Sequence, residues 1–160
     1  LAEGRLPSES WRLVAYGFLH FGWVHLGTNV MVLMLAGPIV AQLLGQGHAL
    51  AVLLLGIVSA GLVISLYGSI GVTVGASGGT MSLVGVCLVC AFYHADLRST
   101  RWGFLVGRVL LGLICLEVVV DAFTPEISSV GHLGGMIFGV LYGAVIVGFL
   151  NPESELDPMV

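Results

Sequence analysis

GHLGGMIFGVLYGAVIVGFL, residues 131–150, carries one imidazole, His132, and no acidic, lysine or arginine side chain. About 20 apolar residues are what a helix needs to cross the hydrocarbon core of a bilayer. A helix crosses without water because its backbone hydrogen bonds close internally. Gly131, Gly135, Gly139 and Gly143 recur at every fourth position. Such a stripe lets another helix approach closely.

Four more apolar stretches precede it, at 24–44, 49–66, 77–93 and 103–120. With 132–150 they make five expected spans. The whole chain agrees: 58% of its residues are hydrophobic and 9% charged, where a soluble domain has roughly 25% charged. So little charge cannot cover a water-facing surface. The expected fold is all-α, a polytopic membrane helix bundle forming one domain over 1–160. Residues 1–23 form an external segment, 24–150 the spans, and 151–160 a polar tail. The expected links are 46–48, the glycine-rich 67–76, 94–102 with Asp96, Arg98 and Arg101, and 121–131 with Pro125 as a helix breaker.

The charges exclude some functions. Net charge is −4, there is no lysine, and the basic residues are Arg5, Arg12, Arg98, Arg101 and Arg108. Nucleic-acid binding needs a basic patch that this chain lacks. No polybasic run marks a peripheral membrane binder. Cys87 and Cys90 form a C-x-x-C inside an apolar run, and Cys115 lies in another. They read as small packing residues rather than metal or redox ligands. No metal and no organic cofactor is expected.

Connectivity sorts the polar residues by depth. Spans one, three and five run the same way through the membrane, so their starting ends share a face. His25, Ser77 and His132 stand at those ends. Arg98, Arg101 and Arg108 on one side, against Arg5 and Arg12 on the other, put the 94–102 link in the cytoplasm. The three polar residues then lie near the outer face.

Polar residues within apolar spans are expensive and tend to be functional. Ser77 sits in Gly75-Ala76-Ser77-Gly78-Gly79, where loop passes into helix. A helix N-terminus offers unpaired N–H groups and a positive dipole end, which favour a developing anion. Ser77 is thus a candidate nucleophile, or alternatively the N-cap of a packed membrane helix. The G-x-S-x-G elbow of soluble hydrolases also matches, but it needs a preceding strand and a sheet that such apolar spans exclude. His132 can act as general base, or serve as an interfacial histidine while the glycines only pack. Gly78, Gly79, Ser82 and Gly85 offer the facing small surface. His25 and Asn29, four apart, share a helical face and can both donate to an oxyanion, or clamp two helices together. Glu117 and Asp121 are also four apart. They suit a proton or cation pathway, a solvated rim, or bonding to backbone. Trp11 fits an interfacial anchor, with Arg12 toward lipid headgroups. His20, His48 and His94 read as interfacial.

Taken together, these residues resemble the rhomboid family of intramembrane serine proteases. Trp11-Arg12 followed by His20, His25 and Asn29 looks like the family's W-R loop and H-x-x-x-N helix. Gly75-Ala76-Ser77-Gly78 is similar to its G-x-S-G motif, and Gly131-His132-Leu133-Gly134-Gly135 to its last core helix. The resemblance implies a Ser77–His132 dyad with no third acidic member, and an oxyanion held by His25, Asn29 and the Ser77 N–H. It implies an endopeptidase that cleaves transmembrane segments of membrane proteins. Its partners are then those substrates and the lipid bilayer. The family core has six helices, so a first helix is expected upstream of Leu1, and residues 1–18 then resemble part of a membrane-dipping loop. Two positions depart from the pattern. Met81 stands where relatives commonly stack an aromatic ring on the catalytic histidine. Gly37-Pro38-Ile39-Val40-Ala41-Gln42 lacks a carboxylate usual there, and Pro38 is expected to kink that span. Two other classes stay open. A non-catalytic relative could bind transmembrane helices, although such relatives usually lack the serine or histidine. A small transporter could use Glu117, Asp121 and Arg108, although no inverted repeat supports it.

Overall fold

A computed structural model describes residues 9–67, 73–93, 101–123 and 129–150, apart from the side chains at 102, 118, 120–123 and 150. A short helix α1 (Arg12–Ala15) runs into a 3-10 turn (Tyr16–Phe18). Five long helices follow: α2 (Trp23–Leu44), α3 (Gln46–Tyr67), α4 (Ser77–Tyr93), α5 (Arg101–Phe123) and α6 (Ser129–Leu150). The protein is an all-α bundle, with no strand among the described residues. α2, α3 and α6 are each long and apolar enough to cross a bilayer. α4, with 17 residues, is shorter. The protein is an integral membrane protein.

The five helices fall on the five expected spans. One link does not exist as expected: residues 46–48 are already helical, and Gly45 alone separates α2 from α3. Its φ of 99° is a conformation that side chains with a Cβ rarely adopt. One glycine therefore reverses the chain where three residues were expected. α6 also begins earlier than expected, at Ser129, which puts His132 inside its first turn. α2 runs through Pro38 as one helix. His94, Asp96, Arg98, Pro125, Arg5, the 68–72 part of the glycine-rich link and the tail at 151–160 lie outside the described residues, as does the side chain of Asp121.

α4 is the axis of the bundle. Every residue from Ser77 to Cys87 is buried. Val32, Ala36 and Val40 of α2, Val52 of α3, Leu110 and Leu113 of α5, and Val147 of α6 close around it. The outer faces stay apolar, with Met34, Leu55, Leu66, Leu111, Leu141 and Phe149 exposed. In a bundle solvated by lipid, an apolar exterior is the stable one.

The packing pairs fix the direction of each helix. Gly135 meets Gly78, Gly139 meets Ser82, and Gly143 meets Val86 and Val89. Numbers rise together, so α4 and α6 are parallel. Against α3 the order reverses: Gly78 meets Ala60 while Gly79 meets Leu53 and Ile57. α3 is therefore antiparallel to α4. It is antiparallel to α6 as well, since Gly134 meets Val63 and His48 Nδ1 lies 2.8 Å from the Tyr142 hydroxyl. Gly79 thus faces α3, whereas the sequence reading set it toward α6.

Candidate active site

Ser77 is the first residue of α4, and Ala76 is the capping position. The Ala76 carbonyl accepts from the Gly79 and Thr80 N–H groups at 2.9 and 3.0 Å. The Ser77 hydroxyl is therefore not the cap, because Ala76, which has no polar side chain, occupies that position. First-turn N–H groups such as those of Ser77 and Gly78 have no helical carbonyl to reach. They stand at the positive end of the helix dipole beside the Ser77 Oγ. Ser77 is 8% exposed.

The approach to Ser77 is held by Tyr16. The Gly75 N–H donates to the Tyr16 carbonyl at 3.0 Å. The Tyr16 hydroxyl donates to the Ile57 carbonyl at 2.7 Å. One residue of the 3-10 turn thereby ties the loop before Ser77 to the middle of α3. Burial pushes the Tyr16 hydroxyl well above its usual range, so it stays a donor. Nothing in the sequence pattern singled out Tyr16, because both bonds join segments far apart in the chain.

His132 lies in the first turn of α6 and is 6% exposed. One turn further on, Gly135 presses against the backbone of Gly78. The Ser82 hydroxyl bridges the same seam, within 2.8 Å of both the Gly78 and the Gly135 carbonyls. Ser77 adjoins Gly78, and His132 precedes Gly135 by one turn. Both side chains therefore belong to the same end of two parallel, touching helices. Gly131, also buried, lies next to His132 in this turn.

α2 brings two more groups to that end. A Cβ on Gly75 would lie 2.7 Å from the His25 Nε2 and 3.8 Å from the Ser77 Oγ. The His25 ring and the Ser77 hydroxyl thus converge on Gly75, whose φ is +127°. The Phe21 N–H points at the His25 Nδ1 at 3.5 Å. A neutral ring accepting there carries its proton on Nε2, the nitrogen facing Gly75. That Nε2 is buried with no hydrogen-bond partner among the described residues. Asn29 is buried too. Its Nδ2 donates to the His25 carbonyl at 2.8 Å, which uses one of its two N–H groups. His20 stands edge-on to His25, with ring centroids 5.1 Å apart. Burial lowers the His20 pKa, against a smaller rise from a backbone hydrogen bond to Phe18.

Glu117 is where the sequence reading needs correcting. It is not solvated at a rim: it is 6% exposed. Its Oε2 lies 3.6 Å from the His132 Nδ1. The sequence held no signal for this pairing, since the rotation of α5 about its own axis is set by packing on α4. Met81, one turn beyond Ser77, is buried in the core. Arg12 pairs with Glu9 at 2.8 Å and lies over the exposed Trp11 ring at 5.0 Å. Cys87 and Cys90 are buried and unbridged, with the Cys87 Sγ 3.8 Å from the Ala36 carbonyl.

Comparison with known proteins puts this geometry in context. Residues 7–149 match the family model of the rhomboid domain. The chain is 28% identical to Rhomboid-related protein 3 of Homo sapiens over 96% of its own length and 40% of that protein's. It is 30% identical to RHOMBOID-like protein 5 of Arabidopsis thaliana over 94% of its length and 51% of that protein's. It is 28% identical to the putative rhomboid protease YdcA of Bacillus subtilis over 90% of its length and 71% of that protein's. The chain thus spans about two fifths to one half of the first two relatives.

Proposed function

The chain belongs to the rhomboid family, and from that premise we propose that it is a serine endopeptidase cutting transmembrane segments of membrane proteins. Ser77 is the nucleophile and His132 its general base. The observation that carries the reading is the seam between α4 and α6. Contact of Gly78 with Gly135 holds a helix-start serine and a first-turn histidine at one end of two parallel helices.

In this mechanism the Ser77 Oγ attacks the scissile carbonyl carbon while the His132 Nε2 takes the hydroxyl proton. The oxyanion is met by the Ser77 N–H, the His25 Nε2–H and the second Asn29 N–H. Losing one such donor typically costs about 3 kcal/mol of barrier stabilisation. The intermediate collapses, the C–N bond breaks, and the imidazolium gives its proton to the leaving amine. Water then attacks the acyl-enzyme carbonyl and yields a proton to His132. Collapse of that second intermediate breaks the ester bond, frees the carboxyl product and returns the proton to Ser77. Peptide bonds within a helix are shielded by their own hydrogen bonds, so the substrate must unwind at the cut. Small or helix-breaking residues are expected there.

The proposed setting is a bacterial plasma membrane with the site near the outer face. The arginine distribution supports the orientation, and the Bacillus subtilis match supports the bacterial setting. The test is cleavage of a transmembrane substrate in liposomes by wild type and Ser77→Ala. The variant is expected to stay folded, cut nothing, and lose labelling by a fluorophosphonate probe. Cleavage retained in Ser77→Ala overturns the mechanism.

A further inference from the structure

The outward side chains of α5 are apolar: Phe104, Leu105, Leu111 and Val119 are exposed. Glu117, on the same helix, turns inward and is buried. A carboxylate in such surroundings is costly unless a partner compensates it. The partner in view is His132. Their side chains are 8% and 7% exposed, and Oε2 stands 3.6 Å from Nδ1. The carboxylate therefore addresses one specific nitrogen of the ring.

That choice of nitrogen has a chemical consequence. A neutral imidazole that turns an Nδ1–H toward a carboxylate carries its lone pair on Nε2, across the ring. Nε2 is the nitrogen a serine hydroxyl must meet. When the ring takes the serine proton it becomes a buried cation, and a facing negative charge offsets it. Ser77 and His25, which stand at the same end of the bundle, do neither. Ser77 on α4 supplies the proton, and the His25 ring on α2 converges with the Ser77 hydroxyl on Gly75. The chain contains no lysine.

We propose that Glu117 is a positioning residue for His132, holding the ring in the Nδ1–H tautomer and countering the imidazolium formed during acylation. The site then works as a serine, a histidine and a carboxylate drawn from three helices, α4, α6 and α5. This rests on the protease reading above.

The test measures cleavage kinetics and fluorophosphonate labelling in liposomes for wild type, Glu117→Gln, Glu117→Asp, His132→Ala and the double variant His132→Ala/Glu117→Gln, with Ser77→Ala as control. Glu117→Gln keeps the shape and removes the charge. Its kcat is expected to fall at least about tenfold with KM unchanged. The fall stays below the roughly 10⁴-fold of a hydrogen-bonded triad carboxylate, because 3.6 Å exceeds hydrogen-bond length. Glu117→Asp is expected to recover part of the loss. In the His132→Ala background, Glu117→Gln should slow labelling no further, because a group that acts through the ring has nothing left to act on. A wild-type kcat in Glu117→Gln, or a full additional loss in the double variant, overturns the proposal. If Gln at 117 blocks folding, Glu117→Asp decides alone: its kcat falls at unchanged KM, and a wild-type kcat overturns the proposal. Ser77→Ala separates the two ideas. An inactive Ser77→Ala beside a fully active Glu117→Gln leaves the protease standing and removes Glu117 from it. Cleavage by Ser77→Ala sinks the protease itself.

Discussion

The Gly78 carbonyl occupies the space that a Cβ on Gly135 would need. Backbone, not a flexible side chain, is the obstacle, so an added methyl must move one helix relative to the other. Ser82 clips the same seam through both carbonyls.

Gly135→Ala is therefore expected to destabilise the bundle by about 1–3 kcal/mol, the usual range for overpacking. It should also lower the cleavage rate, since α4 and α6 carry Ser77 and His132. Thermal unfolding in detergent and single-turnover cleavage would show both. Gly107→Ala is the control, because a Cβ there meets nothing within 4 Å. Equal behaviour of the two variants would remove the seam from the argument.

Gly75→Ala meets two obstacles. Its φ of +127° is strained for any side chain, at a cost of about 1–3 kcal/mol. The new methyl would also lie 2.7 Å from the His25 Nε2. The ring can swing aside, but doing so withdraws a proposed oxyanion donor. We expect kcat to fall more than the stability loss alone accounts for. A variant that loses stability yet cleaves at the wild-type rate would show that the ring position is irrelevant.

Tyr16→Phe removes one hydroxyl and leaves the chain path intact. The Ile57 carbonyl sits mid-helix, where the α3 ladder already supplies a donor, so nothing is orphaned. The expected cost is about 1 kcal/mol. The Gly75 N–H keeps its bond to the Tyr16 backbone carbonyl, so the cleavage rate should stay near wild type. A large loss of rate would mean that the ring, and not only the turn, positions the loop before Ser77.

Much of this architecture was legible in the residues. The length and apolarity of 131–150 and its companions mark five spans, because lipid admits only a closed backbone. Span parity alone puts His25, Ser77 and His132 at one end. The four-residue glycine spacing marks a face suited to close packing. Three things were not legible. Gly45 reverses the chain alone, and a glycine's φ cannot be known before the flanking helices are placed. The two bonds of Tyr16 join it to Ile57 and Gly75, contacts that only the folded chain creates. Glu117 and Asp121 sit on one helical face and look alike in sequence. Whether that face turns toward His132 depends on how Leu110 and Leu113 seat α5 against α4.

Because main-chain atoms set the spacing of α4 and α6 at Gly78 and Gly135, the end that holds Ser77 and His132 is insulated from whatever covers the outside of the bundle. Leu55, Leu111, Leu141 and Phe149 can be exchanged for other greasy side chains to suit a thicker or thinner bilayer. Such drift leaves the alignment of Ser77 and His132 untouched, whereas one methyl inside the junction shifts it.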